Sequence, residues 1–140
     1  MLVLIILVIT AVFAAGCVDN SIKYIDGQFL GKSQPLPIDE SDFGGFYAAI
    51  ELYVRDGKVQ TCVYNLCEAD GTLVNQFTPN KYSPSNKVKL LKALEATNTY
   101  ASNFVEHQGL GGWDRITDDP FAYDLFVQAV EDANKNAVQK

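Results

Sequence analysis

The sequence predicts an α+β fold: an antiparallel sheet of three to four strands built on a central hairpin and packed by two C-terminal helices. Two observations carry it. Between residues 46–54 and 59–66, two stretches rich in β-formers flank Arg55-Asp56-Gly57-Lys58, and Asp-Gly between such stretches is the strongest short-range signal for a hairpin. Later the spacing of apolar residues changes from two to between three and four, the period of helices with one apolar side.

Along the first hairpin strand, Ile50, Leu52 and Val54 alternate with Glu51, Tyr53 and Arg55, so one face is made for a core and the other for water or a partner. Residues 24–33, with β-formers on either side of Asp26-Gly27, supply an edge strand. Pro35 and Pro37 make 34–41 a loop. After the hairpin, 68–71 reads as a turn, 72–77 as a further short strand, and 78–85, with Pro79 and Pro84, as a connection. Ser85 or Asn86 caps a helix running to about His107, with Leu90, Leu91, Leu94, Ala101, Phe104 and Val105 along its inner side. Glycines at 109, 111 and 112 end it. A second helix starts at Asp118 or Asp119 with Pro120 in its first turn and runs to about Ala137. Phe121, Leu125, Phe126, Ala129, Val130 and Ala133 form its inward stripe.

The chain has 140 residues, 48% of them apolar, enough for one domain with a core of its own. Its formal net charge of -6 argues against nucleic acid, whose phosphates demand clustered Lys and Arg. Residues 2–15 are apolar except Thr10, too short for a span of roughly 20 residues, and end in small residues before Cys17. The segment Ala14-Ala15-Gly16-Cys17 resembles a lipobox, which implies a lipoprotein signal peptide at 1–16, lipidation at Cys17 and a short tether at 17–23. The other reading is an uncleaved N-terminal membrane helix. Both place the globular part, 24–140, at the membrane and outside the cytoplasm.

Cys62 and Cys67 lie five residues apart. Along one strand that is ~16 Å, against the ~4.4 to 6.8 Å between Cα atoms that a disulfide tolerates. They are therefore two free thiols, or a disulfide only if the strand ends near Leu66 and folds back. His107 has no partner in any recognisable catalytic motif, and Asp39, Glu40 and Asp42 read as a solvated acidic loop.

Three segments resemble the FMN-binding domain of extracytoplasmic electron-transfer lipoproteins and of membrane redox-pump subunits. Residues 26–33, DGQFLGKS, are similar to the family's opening DG-x-Y-x-G-x-S. Residues 42–64 are similar to its D-x-x-G-aromatic segment, strand and V-x-D-G-K-I turn. Residues 113–120, Trp113-Asp114-Arg115-Ile116-Thr117-Asp118-Asp119-Pro120, stand where the family has D-x-x-T/S-G-A-T/S. In the family the final Thr or Ser carries FMN through a phosphoester. Here Asp114 and Thr117 match, Asp118 and Asp119 replace Gly-Ala, and Pro120, which has no hydroxyl, replaces the acceptor.

The resemblance therefore implies a degenerate flavin site at Trp113, Asp114, Arg115, Thr117, Asp118 and Asp119, with FMN non-covalent at most. Two carboxylates at a helix start occupy the place a phosphate would take. Trp113 could stack on a flat ligand or plug the space between helix and sheet, and Arg115 could meet an anion. The resemblance implies an electron carrier with a redox or surface-protein partner rather than an enzyme working through side chains. The alternative is a module that kept the scaffold and binds a non-flavin ligand or partner.

Overall fold

The computed structural model describes residues 21–38 and 42–140. The expected signal segment at 1–16, the expected lipidation site Cys17, the rest of the expected tether before Ser21, and Asp39 and Glu40 lie outside the described residues. Strands β1 (Gly27–Lys32), β2 (Tyr47–Arg55) and β3 (Lys58–Cys67) form an antiparallel sheet in that spatial order. Helices α1 (Pro84–His107) and α2 (Ala122–Ala137) follow a 3₁₀ turn at Thr78–Lys81 and cover one face of the sheet, α1 over β3 and α2 over β1 and β2. The fold class is the one expected, with three strands.

The turn of the central hairpin holds both Asp56 (φ 54°) and Gly57 (φ 71°) in the left-handed region, the geometry that matches the twist of the flanking strands. Ala48, Ile50, Leu52 and Val54 face the helices and are buried, as the alternation along β2 requires. On β3 the alternation breaks. The register shifts beside Tyr53 and Val54, so that Val54 faces Val59 while Leu52 faces Cys62 and Ile50 faces Tyr64. This bulge brings Val59, Tyr64 and Leu66 onto the buried face and leaves Val63 outside, 47% exposed.

Gly31 of β1 faces α2 so closely that a Cβ there would meet the Ala129 carbonyl oxygen and lie 2.7 Å from the Ala133 nitrogen. Strand and helix thus touch backbone to backbone. Asp132 and Gln128 of α2 then reach over the outer edge of β1, accepting hydrogen bonds from the Lys32 and Gln34 N–H groups at 3.0 and 3.1 Å.

Four expectations at element level are corrected. Residues 72–77 form no strand: they make a single bridge, Cys67 to Leu73, and the Asn75 and Thr78 side chains then divert the backbone into the 3₁₀ turn by accepting from Phe77 N–H and Asn75 N–H. Helix α1 begins at Pro84 with Ser83 in the N-cap position, while the Asn86 amide reaches across to the Asp42 carboxylate instead of capping. Its inner side is turned from the expected one: Leu90, Ala93, Ala96, Thr97, Tyr100, Ala101 and Phe104 are buried, and Leu91, Leu94 and Val105 only half-buried. Helix α2 begins at Ala122, three to four residues later than the expected start at Asp118 or Asp119, with Pro120 ahead of it.

The end of α1 also departs from simple glycine chemistry. Gln108 takes the left-handed position (φ 55°), held because its side-chain amide pairs with β3, accepting from Val59 N–H at 2.9 Å and donating to the Val59 carbonyl at 2.9 Å. Cys62 and Cys67 are free thiols. Strand β3 runs straight through Cys67, so the fold-back a disulfide would need does not occur.

Candidate functional site

The segment between the helices closes over the start of α2. Asp119 is only 5% exposed, and its carboxylate replaces the missing helical partners of three backbone donors: Oδ1 accepts from Phe121 N–H (3.1 Å) and Ala122 N–H (2.8 Å), Oδ2 from Tyr123 N–H (2.6 Å). Oδ2 also accepts from the buried Tyr100 hydroxyl at 2.6 Å. Four donors on one carboxylate offset the cost of removing its charge from water. Burial first, and then the bond to Asp119, push the Tyr100 phenol well above its ordinary range, so the hydroxyl stays a donor.

The Tyr100 oxygen in turn accepts from Ile116 N–H (3.1 Å), while the Arg115 guanidinium donates to the Asp119 carbonyl (2.8 Å) and to the Asp124 carboxylate (3.0 Å). Asp118 points outward and pairs with Lys92 at 3.3 Å. Trp113 is half-buried; its ring stacks on Tyr100 (5.9 Å between centroids, 29°) and meets the edge of Tyr123 (5.8 Å), and its Nε1 donates to the Gly109 carbonyl (2.9 Å). Asp114 and Thr117 are exposed. The six residues of the expected flavin site thus do not converge on a common space. Trp113, Arg115 and Asp119 lock the loop to the two helices, and the others face solvent.

These residues do not fit a flavin phosphate. A phosphate at a helix start is held by free N–H groups, and at α2 those of Ala122 and Tyr123, with the Phe121 N–H just ahead of them, are bonded to Asp119. Pro120 offers no oxygen to esterify. The other two segments that carry the resemblance hold the scaffold together. Asp26 accepts from Gly57 N–H (2.7 Å), Gly31 admits α2, and the Ser33 hydroxyl accepts from Ala48 N–H (2.8 Å). Gly45 sits at φ 83° against Ala69, and the Asp56-Gly57 turn closes the hairpin.

The second and third segments do meet at one open cleft of about 460 Å³, bordered by Pro37, Asp42, Phe43, Asn86, Lys89, Pro120 and Phe121. The Phe43 ring lies 5.3 Å from those of Phe121 and Tyr82, so the floor is aromatic, while Asp42 and Lys89 bring one charge of each sign to the rim. Sequence reasoning did not assemble this cleft. Its walls come from four separate stretches, and no spacing links Phe43 to Phe121. Nor could spacing reveal the Tyr100–Asp119 bond, which joins the middle of α1 to the loop before α2. Among the described residues no three Asp, Glu, His or Cys side chains gather into a metal-binding group, and no helix is long and apolar enough to cross a membrane.

With this geometry in place, the chain can be compared with known proteins. The crystal structure of the CPE2226 protein from Clostridium perfringens superposes with a TM-score of 0.58 over 82% of this chain and 88% of that one, at 18% identity. The two proteins share a fold. At that identity the likeness reaches the arrangement of sheet and helices and goes no further. No protein-family model matches the sequence, and no curated protein matches it.

Proposed function

We propose that this chain is a membrane-anchored extracytoplasmic module built on the scaffold of FMN-binding electron-transfer domains, which carries no covalent flavin and works by binding a ligand or surface partner. The observation that carries this reading is the carboxylate of Asp119 bonded to the Phe121, Ala122 and Tyr123 N–H groups at the start of α2, with Pro120 where the family esterifies a hydroxyl. A module of this kind uses a preformed recess, and the aromatic-floored cleft between Phe43 and Phe121 is the place for it. The anchor rests on Cys17 following Ala14-Ala15-Gly16.

Three measurements test the proposal. Intact mass after coexpression with a flavin transferase should show no FMN adduct, and one adduct per chain overturns the reading. Titrating the full chain with FMN and with riboflavin should leave flavin fluorescence unchanged; saturable quenching would return the protein to the electron carriers with a non-covalent flavin. Metabolic labelling with a fatty acid should mark the wild-type chain and not Cys17→Ala.

A further inference from the structure

We propose that the domain stands end-on at the membrane, with the pole formed by residues 21–25, the hairpin tip and the end of α1 against the lipid headgroups, and the Phe43–Phe121 cleft at the opposite end. This rests on the lipid anchor read at Cys17 and adds the orientation that the fold imposes on it.

The chain length between anchor and domain sets the geometry. From Cys17 to Ser21 there are four residues, a reach of at most ~14 Å when extended. Ser21 itself belongs to the pole: Ser21, Ile22 and Lys23 border the same recess as Gly57, Lys58, Gln108 and Gln139. The segment is fastened there. Tyr24 bridges Val138, Ile25 N–H donates to the Ala137 carbonyl (2.8 Å), Gln139 N–H donates to the Lys23 carbonyl (2.9 Å), and Asp26 holds Gly57. The tether therefore cannot pay out along the domain, and the lipid holds this end within one short span of the headgroups.

The surface of the pole suits a lipid face. Lys23, Arg55, Lys58 and Lys140 gather there in a chain whose net charge is -6. Of the carboxylates at this end, Asp26 accepts from Gly57 N–H, Asp56 is paired with Arg55 at 4.0 Å, and Glu106 stands exposed on the last turn of α1. Ile22 and Ile25 are 44% and 43% exposed. Basic residues with interleaved aliphatic ones are the composition that headgroups attract.

Direction along α1 places the cleft. The helix ends at the pole, and its first turns carry Asn86 and Lys89 of the cleft; 24 residues at ~1.5 Å each separate the two ends by roughly 36 Å. The recess opens toward whatever approaches from outside, clear of the bilayer.

The test uses the full chain in sealed vesicles with the domain outside, and exposed lysines replaced one at a time: Lys58→Cys and Lys140→Cys at the pole, Lys89→Cys and Lys87→Cys at the far end. Modification by a bulky polyethylene-glycol maleimide is followed by gel shift above the parent chain, while intact mass reads the lipid at Cys17. With lipid present, the pole variants should react about tenfold more slowly than the far-end ones, because the reagent exceeds the ~14 Å gap, and the difference should vanish in the Cys17→Ala background. Equal rates in the lipidated chain overturn the orientation and leave the anchor standing. A soluble chain without lipid overturns both.

Discussion

At the residue scale, Asp119 is a keystone rather than a ligand. Replacing it with Ala strips partners from three N–H groups and from the Tyr100 phenol. An N-cap loss of ~0.5 to 2 kcal/mol combined with a buried unsatisfied hydroxyl at ~1 to 3 kcal/mol gives an expected destabilisation of about 2 to 4 kcal/mol. Tyr100→Phe removes only the hydroxyl bonds and should cost about 1 to 2 kcal/mol. Because the two share a hydrogen bond, the double variant should be less destabilised than the two losses added. Urea unfolding of the four proteins measures this; an Asp119→Ala chain within ~0.5 kcal/mol of wild type would show that the carboxylate is not the cap. Gly31 is a second such position. Gly31→Ala forces α2 off β1, and an overpacked contact of that kind should cost about 1 to 3 kcal/mol, read as a fall in Tm without loss of helix signal in the folded state.

At the scale of elements, what could be read from the sequence was what is decided locally. The hairpin turn needs two residues tolerant of positive φ, and Asp56-Gly57 states that need in two letters. Gly57→Ala should accordingly cost about 1 to 2 kcal/mol, with Asp56→Asn close to neutral; the same urea curves report both, and a neutral Gly57→Ala would mean that the turn relaxes to another type. The apolar stripe of α2 was equally legible, because that helix lies flat on the sheet with one side inward. Features decided at a distance were not legible. The bulge in β3 shifts the facing residues by one, so simple alternation cannot say that Val59 and Tyr64 share a face. The start of α2 is set by a side chain three residues ahead of it. The inner side of α1 is chosen by close packing at Ala93 and Ala96, which a scan for large apolar residues passes over in favour of Leu91 and Leu94. The residues of the expected flavin site were grouped by likeness, yet the parts played by Trp113 and Asp119 depend on Tyr100, which lies on another element and has no sequence link to them.

For the molecule as a whole, ionisable groups that lie in the core, Tyr24, Tyr64 and Tyr100, or half-buried against it, Cys62, set a limit on alkaline stability. Burial pushes the Cys62 thiol up to about 12 from an ordinary value near 9.0. Burial, with Cys62 nearby, pushes the Tyr24 phenol to about 12 from 10.0. Tyr64 and Tyr100 are raised as well, again by burial first. In each case the folded protein holds its proton at a pH where the unfolded chain has released it, so the unfolded state binds fewer protons and stability falls as pH rises. Below about pH 9 neither state of Cys62 is ionised and its contribution is constant. Between about 9 and 12 the thiol, joined from about 10 by the three phenols, draws the chain toward the unfolded state. Unfolding free energy from urea titrations should therefore be level from neutral pH to about 9 and then decline steadily. The absorbance of tyrosinate gives an independent reading. Tyr24, Tyr64 and Tyr100 should ionise only together with the loss of far-UV signal. Cys62 should likewise stay inert to a thiol reagent at pH 8 until urea unfolds the chain. Ionisation of all seven tyrosines in one ordinary step, with secondary structure intact, would mean that the aromatic core around Tyr100 and Phe126 is open to water and that the Asp119 lock does not hold the two helices closed.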